Sequence, residues 1–296
     1  MTSVINIREA IGHRAPHPKV SVIIPALNEE RNLPHVAARM PADVDEIVFV
    51  NGDSRDNTAA VARELWPTAV HIKQTRKGKG NALACGFAAA SGDIIVMIDA
   101  DGSTDPAEIP RYVSALVSGA DFAKGSRFVQ GGGSADITRF RRAGNKGLNG
   151  LVNVLFATRF TDLCYGYNAF WRNCLDVMCL PDIEAAEAQW GDGFEVETLI
   201  NVRVAANRLN IVEVHSYESD RIHGVSNLNA VTDGFRVLRT IWQEFWRANV
   251  ARQVPTPGAE NSSLLDTTPI DIPRLAGLGW SRAHEAGDEA ILREAL

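Results

Sequence analysis

A chain of 296 residues, 45% of them hydrophobic, can bury one large core and still carry a tail. Its formal net charge of −6 argues against general nucleic-acid binding, and its four cysteines, Cys85, Cys164, Cys174 and Cys179, lack the C-x-x-C spacing of a zinc site. Most of them read as core thiols of a reducing compartment, and with no signal-peptide core and no apolar run near about 18 residues the chain is expected not to span a membrane.

Residues 1–19, with Pro16 and Pro18, read as a leader. Val20-Ser-Val-Ile-Ile24 is a short buried-type strand ending at Pro25-Ala-Leu-Asn-Glu29, and Glu46-Ile-Val-Phe-Val50 is a second, ending at Asn51-Gly-Asp-Ser54. Helical stretches are expected over roughly 29–40, 56–65 and 79–90. The alternation predicts an α/β domain with a mainly parallel sheet flanked by helices, whose ligands bind beyond the carboxyl ends of the strands.

A third apolar run, Ile94 to Ile98, delivers Asp99-Ala100-Asp101 to that edge. Side chains alternate along a strand, so Asp99 and Asp101 leave on the same side and can share a hard cation such as Mg2+ or Mn2+ that also takes phosphate oxygens. The alternative is a pair of turn-forming aspartates before Gly102. Earlier, Lys77-Gly-Lys-Gly80 puts two cations ahead of a helix, where backbone amides and the dipole suit an anion.

Beyond residue 120 the polar clusters are Gly125-Ser-Arg127, Arg141-Arg-Ala-Gly-Asn145, Asp162, Gly193-Phe-Glu-Val-Glu197 and Arg221-Ile-His-Gly-Val-Ser226. Phe235, Leu238, Ile241, Trp242 and Phe245 then fall at helical spacing within an amphipathic stretch from Phe235 to Ala251. Arg236, Arg239 and Arg247 with the two tryptophans suit a membrane surface, and packing against the domain or a partner is the other reading. From 253 onward, Pro255-Thr-Pro257 and Glu260-Asn-Ser-Ser263 mark a linker, followed by a tail containing Trp280 that either docks or contributes to a homo-oligomer.

Taken together, SVIIPALNEE, VNGDSRDNTAAVA, GKGNALACGFAAASGDIIVMIDADGSTDP and GSRF resemble the inverting family 2 glycosyltransferases, which have the GT-A nucleotide-sugar-binding fold. RRAGNKG, DLCYGYNAF, GDGFEVETLI and SDRIHGVSN resemble the polyprenyl-phosphate and dolichol-phosphate mannose synthase branch, so the likeness covers about residues 20–230. It implies one catalytic domain over 20–252 that includes the amphipathic helix.

The resemblance also implies roles. Pro25, Leu27 and Glu29 would lie against the nucleotide base and ribose, with Asn28 capping a helix there as the other reading. The family's acidic residue after the second strand is replaced by Asn51, so Asp53 either takes over as acceptor or caps the next helix. Lys79 and Arg221 would meet the donor diphosphate, and Asp99 and Asp101 the metal. Ser103 stands where the dolichol-phosphate branch has a metal-holding Gln, and Asn168 and Asn227 replace an expected Arg and Lys. Arg127, Arg141 and Asn145 match the segments that grip an acceptor phosphate, for which the guanidinium fork is suited. Asp162 and Glu197, with Glu195, are the carboxylates available as base or orienting group, and His223 could reach the metal or simply pack.

The activity so implied is metal-dependent, inverting transfer of a hexose from a nucleotide-sugar donor of GDP-mannose or UDP-glucose type to a polyprenyl phosphate. The alternative acceptor is a small phosphorylated metabolite or natural-product intermediate. Less favoured are a sugar-nucleotide nucleotidylyltransferase, whose glycine-rich first loop is missing, and a non-catalytic binding module. The implied location is cytoplasmic, peripheral at the inner face of a membrane.

Overall fold

A computed structural model describes residues 17–135, 137–224 and 230–253, which fall in one compact unit. Most of the expected leader, nearly all of the linker and tail, and Ser226 and Asn227 lie outside the described residues.

The apolar runs become the middle of a seven-stranded sheet. In order across the sheet the strands are β3 (Val70–Lys73), β2 (Glu46–Asn51), β1 (Val20–Ala26), β4 (Ile94–Met97), β7 (Asn168–Trp171), β5 (Phe122–Ser126) and β8 (Ile211–His215). All neighbours are parallel except β7, which runs antiparallel to both β4 and β5. β1 and β4 are covered on both faces, which is why they read as unbroken hydrophobic runs. A two-stranded parallel ladder joins β6 (Gly133–Ser134) to β9 (Tyr217–Glu218) at the rim.

The helices close the two faces. α3 (Lys79–Ala89) lies on β1 and β2 so closely that a Cβ at Gly86 would stand 2.3 Å from Ile23 Cγ2. Its Phe87 meets Phe170 of β7 edge-on at 5.4 Å between centroids, and burial of such a side chain contributes about 1.5–3 kcal/mol. α1 (Leu33–Ala38), α2 (Thr58–Leu65) and α4 (Ile109–Val117) complete the first layers. A second cluster, built on Val152, Phe160, Leu163, Val202, Ala205 and Ile241, joins α5 (Arg139–Phe156), α7 (Val196–Ala206) and α8 (Ala230–Gln253). α6 (Leu175–Met178) is a single turn packed on α7. No helix among the described residues is long and apolar enough to cross a membrane.

Two helix starts differ from expectation. The first helix begins at Leu33, with Asn32 in the N-cap position and Pro34 in its first turn, rather than near residue 29. Asn28 is not its cap: the residue has φ 58°, and its Oδ1 accepts the Arg55 amide while its own amide donates to Ser54 Oγ. The last helix starts at Ala230, five residues before the expected Phe235, across Asp233 and Gly234, which carry no apolar signal.

Candidate active site

β4 ends at Met97, and the chain carries Asp99 and Asp101 out of the sheet's carboxyl edge. Asp101 is fixed from its own side, because Oδ1 accepts from the Ser103 amide at 2.9 Å and the Ser103 hydroxyl at 2.7 Å. Gly102 between them has φ 79°, and a Cβ there would strike the Ile222 side chain at 2.6 Å. That contact shows how tightly the 219–224 segment lies over the aspartates: Ile222 N donates to Asp101 O and Ser219 N to Ser103 O.

Cations face both aspartates. Lys79, at the start of α3, places Nζ 2.6 Å from Asp99 Oδ1 and 2.6 Å from Glu197 Oε1, in the first turn of α7. Burial favours the neutral amine, yet the two carboxylates outweigh it and hold the lysine pKa above its ordinary value. Burial raises the Asp99 carboxyl, with Asp101 and Glu197 adding to the rise and Lys79 opposing it. Arg221 spans Asp101 Oδ2 at 3.1 Å and Glu29 Oε1 at 2.9 Å. Glu29 is buried, and desolvation raises its pKa despite Arg221 and Asn32, whose Nδ2 donates to Oε2 at 2.5 Å. Asn32 also donates to the His223 carbonyl at 3.1 Å, so one amide ties the first loop to the Arg221 loop.

These residues fit a divalent cation. Asp99 binds Lys79 through Oδ1, which leaves Oδ2 for another ligand, and both groups are hard oxygen donors. Among the described residues no group of three or more His, Cys, Asp or Glu side chains is arranged to hold a metal ion, so the positions beyond Asp99 and Asp101 would fall to water and donor phosphates, as Mg2+ accepts. His223 does not join: its ring packs 5.8 Å from that of His35.

Other expected contacts take different places. Pro25 is the penultimate residue of β1, and Leu27, just past the strand's end, is exposed on the loop that would face a base. Asp53 has a side chain 75% exposed, pairs with Lys73 at 2.6 Å and does not cap α2, whose N-cap position is Asn57. Asn51 Oδ1 accepts the Ser54 amide, shaping the turn instead. The start of α3 is no open anion site, because the Gly80 and Asn81 amides both donate to the Asp192 carbonyl, at 2.7 and 3.2 Å. Arg76 secures the same residue through a two-bond pair with the Asp192 carboxylate.

The largest correction concerns Arg127, Asn145 and Asp162. Arg127 is buried, with Nε 2.7 Å and Nη2 2.9 Å from the two oxygens of Asp162, and Nη1 2.8 Å from Glu218. Desolvation opposes its charge, but Asp162 prevails and raises its pKa. Asn145 Nδ2 donates to the same Asp162 oxygen at 3.0 Å. Arg127 and Asn145 are therefore spent on a buried carboxylate, and Asp162, with no exposed surface, is placed as their anchor rather than as a base. Glu195 likewise accepts the Gly191 and Gly193 amides and shapes the turn before α7. Arg141 sits half-buried in the first turn of α5, after the Thr138 cap.

The model of "Glycosyl transferase family 2" matches residues 21–177, over half of the chain. The chain belongs to glycosyl transferase family 2. Among curated relatives, the dolichol-phosphate mannosyltransferase of Pyrococcus furiosus is 32% identical over 246 residues, covering 80% of this chain and 66% of that one. The polyprenol monophosphomannose synthase of Mycolicibacterium smegmatis is 32% identical over 224 residues, covering 72% and 82%. The chain thus spans just under two thirds of the archaeal relative's length. A crystal structure of glucosyl-3-phosphoglycerate synthase from Mycobacterium tuberculosis, with Mn2+, UDP-glucose and phosphoglyceric acid, superposes with a TM-score of 0.60. At 23% identity over 81% of this chain and 82% of that one, it is a likeness of fold, the GT-A fold expected from the motifs.

Within this family 2 chain, several supporting residues escape motif reading. Ser103, where the dolichol-phosphate branch carries Gln, restrains Asp101. Asn32 lies three residues after Glu29, a spacing that could have marked the pair. Asn145, Asn149 and Asn153 recur every fourth residue on α5, and all three hold the 160–163 segment through bonds to Asp162, Leu163 and Phe160. Asn168 is fully buried in β7, so the position of the expected Arg is part of the sheet.

Proposed function

We propose that the chain transfers a hexose, with inversion, from a nucleoside diphosphate sugar of GDP-mannose or UDP-glucose type to a polyprenyl phosphate, using Mg2+ or Mn2+ at Asp99 and Asp101. The carrying observation is that none of the three carboxylates offered is left to act as a base: Asp162 is held by Arg127, Glu197 by Lys79, and Glu195 accepts the Gly191 and Gly193 amides. An acceptor that works without a base is one already ionised, and a phosphate monoester with a second pKa of about 6 is such a group. The names of the archaeal and mycobacterial relatives, and that of the undecaprenyl-phosphate mannosyltransferase of Micrococcus luteus, 31% identical over 76% of this chain, support a lipid phosphate in particular.

In this reading Glu29, Pro25 and Leu27 border the nucleoside, and Arg221 turns its guanidinium from Asp101 and Glu29 toward the diphosphate. A divalent ion held by Asp99 and Asp101 supplies charge neutralisation to the leaving nucleoside diphosphate. The acceptor oxygen displaces that group from the anomeric carbon in one step, and Lys79 and Arg221 offset the charge that develops. Arg141, half-buried in the first turn of α5, is the residue this reading assigns to the acceptor phosphate. Phe235, Leu238, Trp242 and Trp246 stand exposed along α8, with Arg236 and Arg247 beside them, a surface suited to the lipid that carries the acceptor.

The test supplies purified protein with Mn2+ and labelled GDP-mannose or UDP-glucose, and either a short polyprenyl phosphate, the matching alcohol or 3-phosphoglycerate. Label is expected in the organic phase with the phosphate alone. Product only in the aqueous phase would replace the lipid acceptor with a soluble one, and product from the alcohol would overturn the base-free argument.

A further inference from the structure

We infer that Lys79 is a resident counter-ion, passed from Asp99 to Glu197 when a divalent cation arrives, so that Glu197 sets how tightly the aspartate pair takes metal. The inference rests on the metal assignment proposed above and assigns Glu197 a positioning role in place of base catalysis.

Three elements converge on one ammonium. Asp99 comes from the end of β4, Lys79 from the start of α3 and Glu197 from the first turn of α7, with both N–O distances 2.6 Å. The Lys79 and Glu197 side chains are 16% and 15% exposed, so little water competes for either. Space for the Glu197 carboxylate comes from Gly166: a Cβ there would lie 2.3 Å from Oε1 and 3.4 Å from Lys79 Nζ.

The charges explain why two holds are needed. Glu29, Asp99, Asp101 and Glu197 carry four formal negative charges against two positive ones from Lys79 and Arg221, so the cluster is short by the charge of one divalent ion. Once that ion occupies Asp99, Lys79 would face it across a single carboxylate, a like-charge contact at a few ångströms that a buried site screens poorly. Glu197 lets the ammonium withdraw without losing a buried partner, which an unpaired charge could not do. There Lys79 remains beside the position of the diphosphate.

Mn2+ binding, read from the EPR signal of free ion, tests this without any turnover. Glu197→Gln should weaken binding of Mn2+ alone by roughly threefold or more, since Lys79 then rests on Asp99 only. Lys79→Met should tighten Mn2+ alone while weakening UDP or GDP bound with it. In the Lys79→Met background the Glu197→Gln effect should largely vanish. Gly166→Ala, which changes no charge and pushes the end of a flexible side chain, should reproduce the Glu197→Gln direction and covers the case in which that variant misfolds. An equal loss from Glu197→Gln with and without Lys79 would reduce the effect to simple charge and overturn the hand-over. Unchanged affinity in Glu197→Gln would overturn it too, leaving the metal assignment intact. Wild-type protein that binds no Mn2+, with or without UDP or GDP, would remove both.

Discussion

The guanidinium of Arg127 and the carboxylate of Asp162 meet through two near-parallel bonds, 2.7 and 2.9 Å, with the acid fully buried. Truncating one member leaves the other charged and dry, which costs about 3–5 kcal/mol. Asp162→Ala should therefore lower the midpoint of chemical denaturation sharply, and Arg127→Met combined with Asp162→Leu should recover much of it. A stable Asp162→Ala protein with only a turnover defect would return Asp162 to the catalytic group.

Asp101→Ala removes one of the two carboxylates proposed to hold the metal, and with it the partner of Ser103 and Arg221. The variant should keep its fold by circular dichroism, lose nearly all transfer, and show donor binding that Mn2+ no longer strengthens. Ser103→Ala, which removes the hydroxyl bond to Asp101 but keeps the amide bond, should raise the Mn2+ requirement by a smaller factor. Wild-type activity undiminished by EDTA would contradict the assignment.

Arg221→Ala should weaken donor binding and cost about 2–4 kcal/mol of transition-state stabilisation, with the acceptor KM little changed. It also leaves Glu29 without its cation, raising further a carboxyl that burial already raises. A carboxyl whose folded pKa exceeds its unfolded value holds its proton more tightly in the native state. Its contribution is complete below the unfolded pKa and is lost as pH climbs through the folded one. The stability gap between wild type and Arg221→Ala should thus narrow as pH falls from 7 toward 4.5, and Glu29→Gln in the same background should flatten that dependence.

Gly147 and Gly80 make a contrasting pair. Gly147 lies inside α5 with nothing within 4 Å of a built Cβ, so Gly147→Ala should stabilise by about 0.5–1 kcal/mol through helix propensity. At Gly80 the same Cβ would stand 1.8 Å from the Gly191 carbonyl, backbone that cannot turn aside. Gly80→Ala should lower the melting temperature strongly and displace the turn that leads to Glu197.

The central sheet was legible because β1, β2 and β4 are apolar on both faces. β3, whose residues are none of them fully buried, carries no such mark. β7 hides in a motif, since DLCYGYNAF reads as a segment of family likeness, with Asn168 in place of an expected Arg, rather than as strand. Asp99, Asp101, Lys79, Arg221 and Glu29 do assemble at one edge, as their positions at strand and helix ends suggest. Arg127 failed for a different reason: an arginine's solvent exposure depends on what faces it, and Asp162 lies 35 positions away in sequence. The pairing of Lys79 with Glu197, 118 positions apart, was invisible on the same ground.

The antiparallel β7 has a consequence for how the chain is made. It fills the gap between β4 and β5, and its Asn168 pairs with Met97, 71 positions earlier. At about 5–20 residues per second, a ribosome leaves the open side of β4 waiting roughly 4–14 s for its neighbour. During that interval the Ile94–Met97 edge is an unpaired apolar template, the kind of strand that recruits other chains. Nascent chains stalled before residue 168 should accordingly require a chaperone, whereas those released after β7 emerges should not.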